Sequence, residues 1–198
     1  MGNDPSAETA EDLGLMARVA AGESEAQRIV ATRLIGRVRR VARSLLRDPA
    51  DADDATQMGL VAILGSAAAY RGDAPLERWA NRIAARTAMH MVRERRRRGG
   101  VVDGETNMDD LADPTTAMSG SDRTLGELED HLAGLNDVSR TTIVLRHVLE
   151  YSIDETAELT GVSPNTVKDR LLRARDQLRK LLRREEALDG ALAGKGRS

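Results

Sequence analysis

Residues 152–167, SIDETAELTGVSPNTV, contain the start and stop signals of two successive helices. Ser152 and Glu155 form a capping-box pattern, in which the hydroxyl accepts one free backbone amide and the carboxylate reaches back to another. Gly161 can adopt the left-handed conformation with which many helices end. The Ser-Pro pair at 163–164 then supplies an N-cap and a first helical residue that needs no amide hydrogen. These signals predict two helices joined by a tight turn.

The spacing of small and apolar residues in this stretch is typical of a helix-turn-helix. Ala157, Gly161 and Val167 lie at offsets zero, four and ten. At these offsets the motif needs a small residue where the helices cross, a turn residue, and an apolar residue that holds the second helix. Apolar residues recur every three or four positions along the second helix, which predicts a buried stripe. The predicted stripe consists of Val167, Leu171, Ala174, Leu178 and Leu181.

The opposite face of the second helix is basic. Residues 165–184 hold eight basic and two acidic residues, so this helix can lie against a phosphate backbone while its first turns contact base edges in the major groove. Arg173 can donate two hydrogen bonds to a guanine, and Asp169 can accept one from a cytosine amino group. A charged face can also be merely solvated, but the capping box, turn glycine and Ser-Pro restart together favour DNA binding. The residues expected to face the duplex are Asn165, Thr166, Lys168, Asp169, Leu172 and Arg173.

The first half of the sequence has apolar residues at helical spacing and many arginines. Between residues 13 and 46 this pattern is broken near Gly22, which predicts two helices. The acid-rich segment 51–57 predicts another helix, because carboxylates stabilise the first turns through the helix dipole. A further helix is predicted at Trp79, with small and apolar residues along one side. Its opposite edge is expected to carry Arg78, Arg82, Arg86, His90, Arg93 and Arg97.

The composition of the 198 residues favours an all-α fold. Hydrophobic residues make up 40% of the sequence but aromatic residues only 2%, so the core must consist of Leu, Val, Ile, Met and Ala, which suits thin, closely packed helices. The absence of cysteine excludes disulfides, thiolate metal sites and thiol nucleophiles, and it fits the cytoplasm. The longest apolar run, 59–69, is well short of the roughly 20 residues that cross a bilayer, so no membrane insertion is expected.

The charges are segregated along the chain, although the formal net charge is only −2. Residues 15–98 carry a net charge of +8, from 17 arginines and nine acids, whereas residues 99–130 carry −8, from one arginine and nine acids. The acidic segment is rich in Gly, Ser, Thr and Asp and lacks an apolar period, which predicts a flexible linker between two small helical domains. The predicted boundaries are an acidic N-terminal tail at 1–12, a first domain at 13–98, the linker at 99–126, a helix-turn-helix domain at 127–187 and a tail at 188–198.

No arrangement of residues for catalysis or for holding a cofactor is recognisable in the sequence. His90, His131 and His147 lack metal-ligand spacing, and no Gly-rich phosphate loop is present. The paired acids lie among helix-start signals rather than in a catalytic arrangement. We therefore expect neither an enzyme nor a cofactor, and an enzyme that acts on nucleic acid is the weaker hypothesis.

Two groups of segments resemble two regions of the bacterial RNA polymerase sigma factors. Similar to the second region are RDPADADDATQ at 47–57, YRGDAPLERW at 70–79, RIA at 82–84 and the arginine run at 95–98. Similar to the fourth region are LNDVSR at 135–140, LRHV at 145–148, TVKDRL at 166–171 and RAR at 173–175. The size of the chain, and a bare linker where larger members have a third region, point to the extracytoplasmic-function subgroup.

The resemblance implies that the chain binds core RNA polymerase and directs promoter recognition and transcription initiation. In relatives the acid-rich helix docks on the clamp helices of the largest polymerase subunit, which here assigns core binding to Asp51, Asp54 and Gln57. The helix-turn-helix would read the minus-thirty-five duplex through Lys168, Asp169, Leu172 and Arg173. The minus-ten element would be captured as a single strand by Tyr70, Arg71, Asp73, Arg78, Arg82, Arg86, His90 and Arg93.

A further implied partner is a cognate anti-sigma protein, because relatives are commonly held inactive by one.

The chain also departs from the family pattern. Leu76 and Asn81 stand where aromatic residues are common, and Met58 follows Gln57 where an acid is usual. Since stacking on an aromatic side chain is worth about 1–3 kcal/mol per base, Leu76 and Asn81 predict weaker strand capture. The departure after Gln57 predicts weaker core docking.

The alternative hypothesis is a free-standing transcriptional regulator. Such a protein would bind a palindromic duplex as a dimer through the helix-turn-helix, without core polymerase. It would leave the resemblance of residues 47–98 to the second sigma region unused. Association with core polymerase distinguishes the two hypotheses.

Overall fold

The computed structural model describes residues 5–98 and 134–195, and every regular element in these residues is helical. The prediction of an all-α fold is therefore confirmed. The chain divides into two compact units, Met1–Val102 and Asp103–Ser198. The predicted linker at 99–126 lies outside the described residues.

The described part of the first unit contains four α-helices and one short 3-10 helix. These are α1 (Pro5–Ala20), α2 (Ser24–Leu45), α3 (Pro49–Gly65), the 3-10 helix (Ala67–Ala69) and α4 (Leu76–Arg98). The break between α1 and α2 is at Gly22, whose φ of +83° is accessible to glycine without strain. The predicted break near Gly22 is thus confirmed.

Helix α1 begins at Pro5, so the prediction of a tail extending to residue 12 is wrong for residues 5–12. The acids of this segment favoured a tail, whereas its apolar positions are compatible with a helix. One of these acids, Asp12, is only 3% exposed, because its charge is compensated by an arginine of α2. Helix α3 also begins earlier than predicted, since Asp48 accepts hydrogen bonds from the amides of Ala50 and Asp51, at 2.8 and 3.1 Å.

Helices α2, α3 and α4 form the core of the first unit, and they pack at close range. A methyl group added to Gly59 of α3 would lie 3.1 Å from Val38 Cγ1 of α2 and 3.7 Å from the Cα of Ala84 of α4. Val38 is fully buried where α2 crosses α3, and Leu34, one turn earlier in α2, is also fully buried. Small residues at the crossing therefore allow three thin helices to share one aliphatic core.

The second unit is described from residue 134. Its elements are α5 (Asp137–Ile143), a π-helical turn (Val144–Val148), α6 (Ile153–Thr160) and α7 (Pro164–Lys195). Because α7 continues to Lys195, the prediction of a tail from residue 188 is wrong for residues 188–195. The sequence analysis expected helices over residues 135–149, but it did not predict the π-helical turn.

The predicted helix-turn-helix is confirmed in its caps and its turn. Ser152 Oγ accepts a hydrogen bond from the Glu155 amide at 3.1 Å, and Glu155 Oε2 accepts one from the Ser152 amide at 2.8 Å. Gly161 has a φ of +72° and ends α6 in the left-handed conformation. Ser163 Oγ accepts from the Thr166 amide at 3.1 Å and so caps α7.

The buried stripe of α7 is shorter than predicted. Val167, Leu171 and Ala174 are buried, and the first two pack against Ala157 of α6. Leu178 and Leu181 are only half-buried. Full burial of the stripe therefore ends at Ala174, although α7 continues to Lys195.

Substitution of Gly161 by alanine tests the turn. Nothing lies within 4 Å of the added methyl group, so the expected loss of about 1–2 kcal/mol comes from the left-handed backbone alone. The matched control is Gly36→Ala, which also meets nothing within 4 Å but lies inside α2, where it should stabilise by about 0.5–1 kcal/mol. Urea unfolding followed by circular dichroism measures both. Two changes of the same sign would contradict this account of the turn.

Candidate nucleic-acid interface

The loop at residues 70–75 joins the 3-10 helix to α4 and is ordered by its own contacts. Tyr70 is only 6% exposed, and its hydroxyl donates a hydrogen bond to the Ala74 carbonyl at 3.0 Å. Its ring meets the ring of Trp79 edge-on, with the centroids 5.4 Å apart. Such an aromatic pair stabilises the fold by more than its buried area alone would give. The loop is therefore closed on itself beside the start of α4.

Helix α1 supports this loop from behind. Gly72 has a φ of +76°, and a methyl group added there would lie 2.9 Å from Thr9 Cγ2 and 3.2 Å from Leu13 Cδ1. Glycine is thus required at this position both by the backbone conformation and by the close approach of α1. The loop and α1 form a single packed layer.

A cavity of about 550 Å³ opens between the loop and the first turns of α4. Pockets for small molecules typically have volumes of about 300–1,000 Å³, and this cavity falls in that range. A nucleoside is a ligand of that size. The structure brings together here five of the residues expected to contact the minus-ten strand, and adds Trp79 beside them. The five are Tyr70, Arg71, Asp73, Arg78 and Arg82.

The other three residues expected at the minus-ten strand lie farther along α4, away from the cavity. Arg86 and His90 are exposed, four positions apart on one helical edge. Arg93 is half-buried, and its Nε donates a hydrogen bond to the Met89 carbonyl at 3.3 Å. The cavity and these cations therefore follow one another along the same helix.

Arg33 of α2 joins two carboxylates behind the loop. Its Nη1 donates to Asp12 Oδ1 at 2.5 Å, and its Nε and Nη2 donate to Glu77 Oε1 at 2.9 and 2.6 Å. Glu8 of α1 lies 3.8 Å from the same guanidinium. The sequence analysis did not identify Arg33, because its partners are separated from it by 21 and 44 positions along the chain.

The pKa values of two groups reflect this arrangement. Burial, together with the charges of Asp12 and Glu77, raises the pKa of the Tyr70 phenol. Partial burial opposes the ionisation of Glu77, but its own backbone amide and the hydrogen bonds from Arg33 hold the pKa of this carboxyl below its ordinary value. Glu77 is therefore ionised near neutral pH, as its contact with Arg33 requires.

The three residues expected at core polymerase are not equivalent in the structure. Asp51 is half-buried and forms an ion pair with Arg95 of α4. Asp54 and Gln57 are exposed, and next to them Met58 and Val61 are 48% and 70% exposed. These four residues follow the i, i+3, i+4, i+7 spacing of one helical face. Val61 was not predicted, because the exposure of an apolar residue on α3 depends on which helices pack against α3.

In the second unit the residues expected at the duplex lie on the outer side of α7. Asn165, Lys168, Asp169 and Arg173 are exposed, and Leu172 is 61% exposed. Thr166 is half-buried, with its hydroxyl 2.9 Å from that of Ser163. An exposed leucine between charged residues is chemically suited to contact a thymine methyl group.

Arg175 of α7 lies close to His147 in the second unit. Arg175 Nη2 is 3.4 Å from His147 Nε2 of the π-helical turn. Burial and the charges of Arg175 and Arg146 hold the pKa of His147 below its ordinary value. The imidazole is therefore neutral at pH 7 in the free protein.

The described residues show neither a metal centre nor a membrane span. In 5–98 and 134–195 no three His, Asp or Glu side chains are grouped so as to hold a metal ion. None of the helices in the same ranges combines the length and the apolar character that a bilayer crossing requires.

The fold and the exposed surfaces define a helical DNA-binding protein, with a helix-turn-helix in one unit and a cavity lined by arginines in the other. Residues 30–98 match the model of the family Sigma-70 region 2, and residues 125–178 match that of Sigma-70, region 4. The chain belongs to the sigma-70 family of RNA polymerase sigma factors, in its extracytoplasmic-function group. The prediction of this family is confirmed.

Two relatives support this assignment along most of the chain. The chain is 30% identical to the ECF RNA polymerase sigma factor SigM of Mycobacterium tuberculosis over 171 residues, which are 86% of this chain and 84% of the relative. It is 30% identical to the RNA polymerase sigma factor CarQ of Myxococcus xanthus, over 84% of this chain and 95% of the relative.

A solved structure shares the fold. The sigma factor RpoE of Bartonella quintana, in complex with the anti-sigma factor NepR, superimposes with a TM-score of 0.51. The sequence identity is 24%, and the match covers 79% of this chain and 96% of that one. This similarity confirms the fold.

The departures from the family pattern acquire a structural meaning. Leu76 is fully buried under the start of α4, so it occupies a core position and an aromatic residue there would not add exposed stacking surface. Asn81 Oδ1 is buried without a hydrogen-bond partner among the described atoms. Trp79 and Tyr70 are the aromatic residues that border the cavity.

Acidification tests the contact between Glu77 and Arg33. Because the pKa of Glu77 is lowered on folding, its contribution to stability is fully present above its ordinary pKa and is lost as the pH falls below about 4.5. Glu77→Gln should therefore reduce stability at pH 7, and the difference from the original protein should shrink at pH 3–4. Urea unfolding at several pH values measures this.

The control is Glu25→Gln. The Arg28 hydrogen bond also lowers the pKa of Glu25, but this pair lies at the surface of a single helix and should contribute less. A difference between Glu77→Gln and the original protein that is constant from pH 7 to pH 3 would contradict the assignment.

Proposed function

We propose that this sigma factor uses three separate surfaces in promoter recognition. The outer face of α3 binds core RNA polymerase, the cavity beside α4 captures the unpaired minus-ten strand, and the outer face of α7 reads the minus-thirty-five duplex. The observation that carries the proposal is the cavity, because it combines aromatic rings and arginines at the place where the second sigma region would hold an extruded base.

The cavity suits an unpaired nucleotide in two respects. The half-buried Trp79 ring at its border offers surface on which a base can stack, and the buried Tyr70 ring supports Trp79 through their edge-on contact. Arg71, Arg78 and Arg82 surround it with positive charge, which attracts the phosphates on either side of the base. Arg86, His90 and Arg93 would continue the contact along the strand. A double helix presents no single base that can enter such a cavity.

The face of α3 suits a protein partner rather than DNA. It carries the carboxylate of Asp54, which would repel phosphates, and it exposes Met58 and Val61, which would contribute apolar area on docking. Asp51 supports this face from its ion pair with Arg95. We therefore assign core binding mainly to Asp54, Gln57, Met58 and Val61.

The face of α7 suits the major groove. Asn165, Lys168, Asp169 and Arg173 are exposed on its first turns, and Ser163 caps the same end through the Thr166 amide. Leu172 lies among them and is 61% exposed. Arg173 and Asp169 would read bases, whereas Lys180 and Arg183 farther along would contact phosphates.

The proposal includes where and how the protein works. We infer a cytoplasmic location, because its partner polymerase acts there, and a role in initiation without a catalytic activity of its own. The acidic segment 99–126 would serve as the tether between the two DNA-binding units. An anti-sigma protein is a further expected partner, because the neighbour of similar fold was solved with one.

The alternative of a free-standing regulator is not favoured, because it gives no role to the first unit. Residues 30–98 match the second sigma region, and their cavity and α3 face would have no ligand in a protein that binds duplex DNA alone.

A crossed pair of substitutions tests the assignment of surfaces. Val61→Asp should abolish co-elution with core polymerase and run-off transcription while leaving duplex binding unchanged, because a charge at a 70% exposed position harms a docking face and not the fold. Leu172→Asp, at a 61% exposed position, should leave core co-elution unchanged and weaken binding to the upstream duplex.

The template for these assays is a promoter selected from a random library by core polymerase with this protein. Asp54→Ala combined with Gln57→Ala should act in the same direction as Val61→Asp, more weakly. If the original protein neither co-elutes with core polymerase nor directs a transcript, the proposed function is wrong. If both single variants lose core co-elution, or if both lose duplex binding, the surfaces are wrongly assigned.

Arg173→Ala tests base reading by α7. We expect a loss of roughly 1–3 kcal/mol in duplex binding and a relaxed preference at one upstream base pair, because a forked contact to a base is lost. The control is Lys180→Ala, which should weaken binding equally for all sequences and reduce the salt slope by about one. Binding to the selected duplex and to single-base variants, at several salt concentrations, measures both effects. An unchanged base preference in Arg173→Ala would contradict its assignment.

A further inference from the structure

We infer that Arg33 is a positioning residue for strand capture, which holds the cavity in its binding-competent shape from behind through α1. The inference rests on the proposed function and adds a residue and a helix to it. Neither faces the cavity, and α1 precedes residue 30, where the match to the second sigma region begins.

The first step of the argument is the geometry of the guanidinium. Asp12 of α1 and Glu77 at the start of α4 both accept hydrogen bonds from Arg33, at distances between 2.5 and 2.9 Å. The Asp12 side chain is almost completely buried, whereas those of Arg33 and Glu77 are 33% and 24% exposed. Arg33 therefore ties α1 and α4 to α2 at one point, with planar donors that a lysine does not have.

The second step is the position of this point relative to the cavity. Glu77 lies between Leu76, which is fully buried, and Arg78, which lines the cavity. Helix α1, held by Asp12, presses Thr9 and Leu13 against the turn at Gly72. Arg33 thus fixes both sides of the loop, namely the helix behind its turn and the helix that follows it.

An ion pair that lies within a single helix of the same unit provides a contrast. Arg28 pairs with Glu25 three positions away in the same helix, and both side chains are exposed. That pair fixes no neighbouring element. Asp12 would be left buried without its charge partner if Arg33 were removed, and α1 would then move away from the loop to hydrate it.

Three variants test the inference, namely Arg33→Ala, Arg33→Lys and the control Arg28→Ala. The probe is the promoter selected from the random library, with its minus-ten bases unpaired by mismatches so that melting is not required. Binding of this probe by the complex with core polymerase is compared with core co-elution and with helix content of the same variant.

Arg33→Ala should bind the probe about tenfold more weakly, which corresponds to a competent fraction of about one tenth. Its core co-elution and helix content should equal those of the original protein. Arg33→Lys should fall between the two, because one ammonium can satisfy one carboxylate but not both with forked contacts. Arg28→Ala should match the original protein in every assay.

The single tryptophan provides a readout in the free chain, independent of polymerase. Since Trp79 borders the cavity and contacts Tyr70, a loosened loop should increase its quenching by acrylamide in Arg33→Ala and not in Arg28→Ala. If the original protein directs no transcript, the proposed function fails, whereas the quenching result still decides whether Arg33 holds the loop.

Two results would overturn the inference. One is an Arg33→Ala protein that captures the probe as well as the original and shows equal quenching. The other is an equal loss of core co-elution and probe binding, since Arg33 would then be only a stabilising residue. If Arg33→Ala does not fold, the same assays are made with Arg33→Lys and Glu77→Gln. Both variants should bind the probe more weakly than the original protein and show more quenching of Trp79.

Discussion

The close approach of α2, α3 and α4 is the constraint on which the first unit depends. Gly59 leaves only 3.1 Å between the position of an added methyl group and Val38, and Ala84 lies on the other side of the crossing. With almost no aromatic side chains to fill space, the core must be thin and its helices must touch over small residues. This packing fixes which face of each helix is turned outward, and the outward faces carry the residues that we assign to partners.

The two helix faces that we assign to core polymerase and to duplex DNA are therefore the reverse sides of core contacts. The residues of α3 that do not meet α2 or α4 present Asp54, Gln57 and Val61, and the first turns of α7 that do not meet α6 present Asp169 and Arg173. The cavity differs from these two faces, since it is made by a loop. A loop has no regular backbone hydrogen bonds to keep its shape. Its support must therefore come from Tyr70 and Gly72 within the loop, and from Arg33 and helix α1 outside it.

The local features of the fold could be predicted from the sequence, and the long-range ones could not. The capping box and the turn at Gly161 are encoded within a few residues, and they were confirmed to the residue. The start of α1 was misjudged because Asp12 is unfavourable in a buried place until Arg33, far along the chain, compensates it. The exposure of Val61 likewise depends on which neighbours α3 has, which no local pattern states. For the site as a whole, residue types were predictable but their grouping around the cavity required tertiary structure.

In the proposed function, one chain binds two states of the same promoter, an unpaired strand in the first unit and a duplex in the second. Photo-crosslinking of the complex with core polymerase tests it most directly, with a reactive base placed either in the minus-ten strand or in the minus-thirty-five duplex. The account predicts that the first probe attaches within residues 70–82, around the cavity, and the second within the first turns of α7. Attachment of both probes to α7, or of neither probe to this chain, would contradict it.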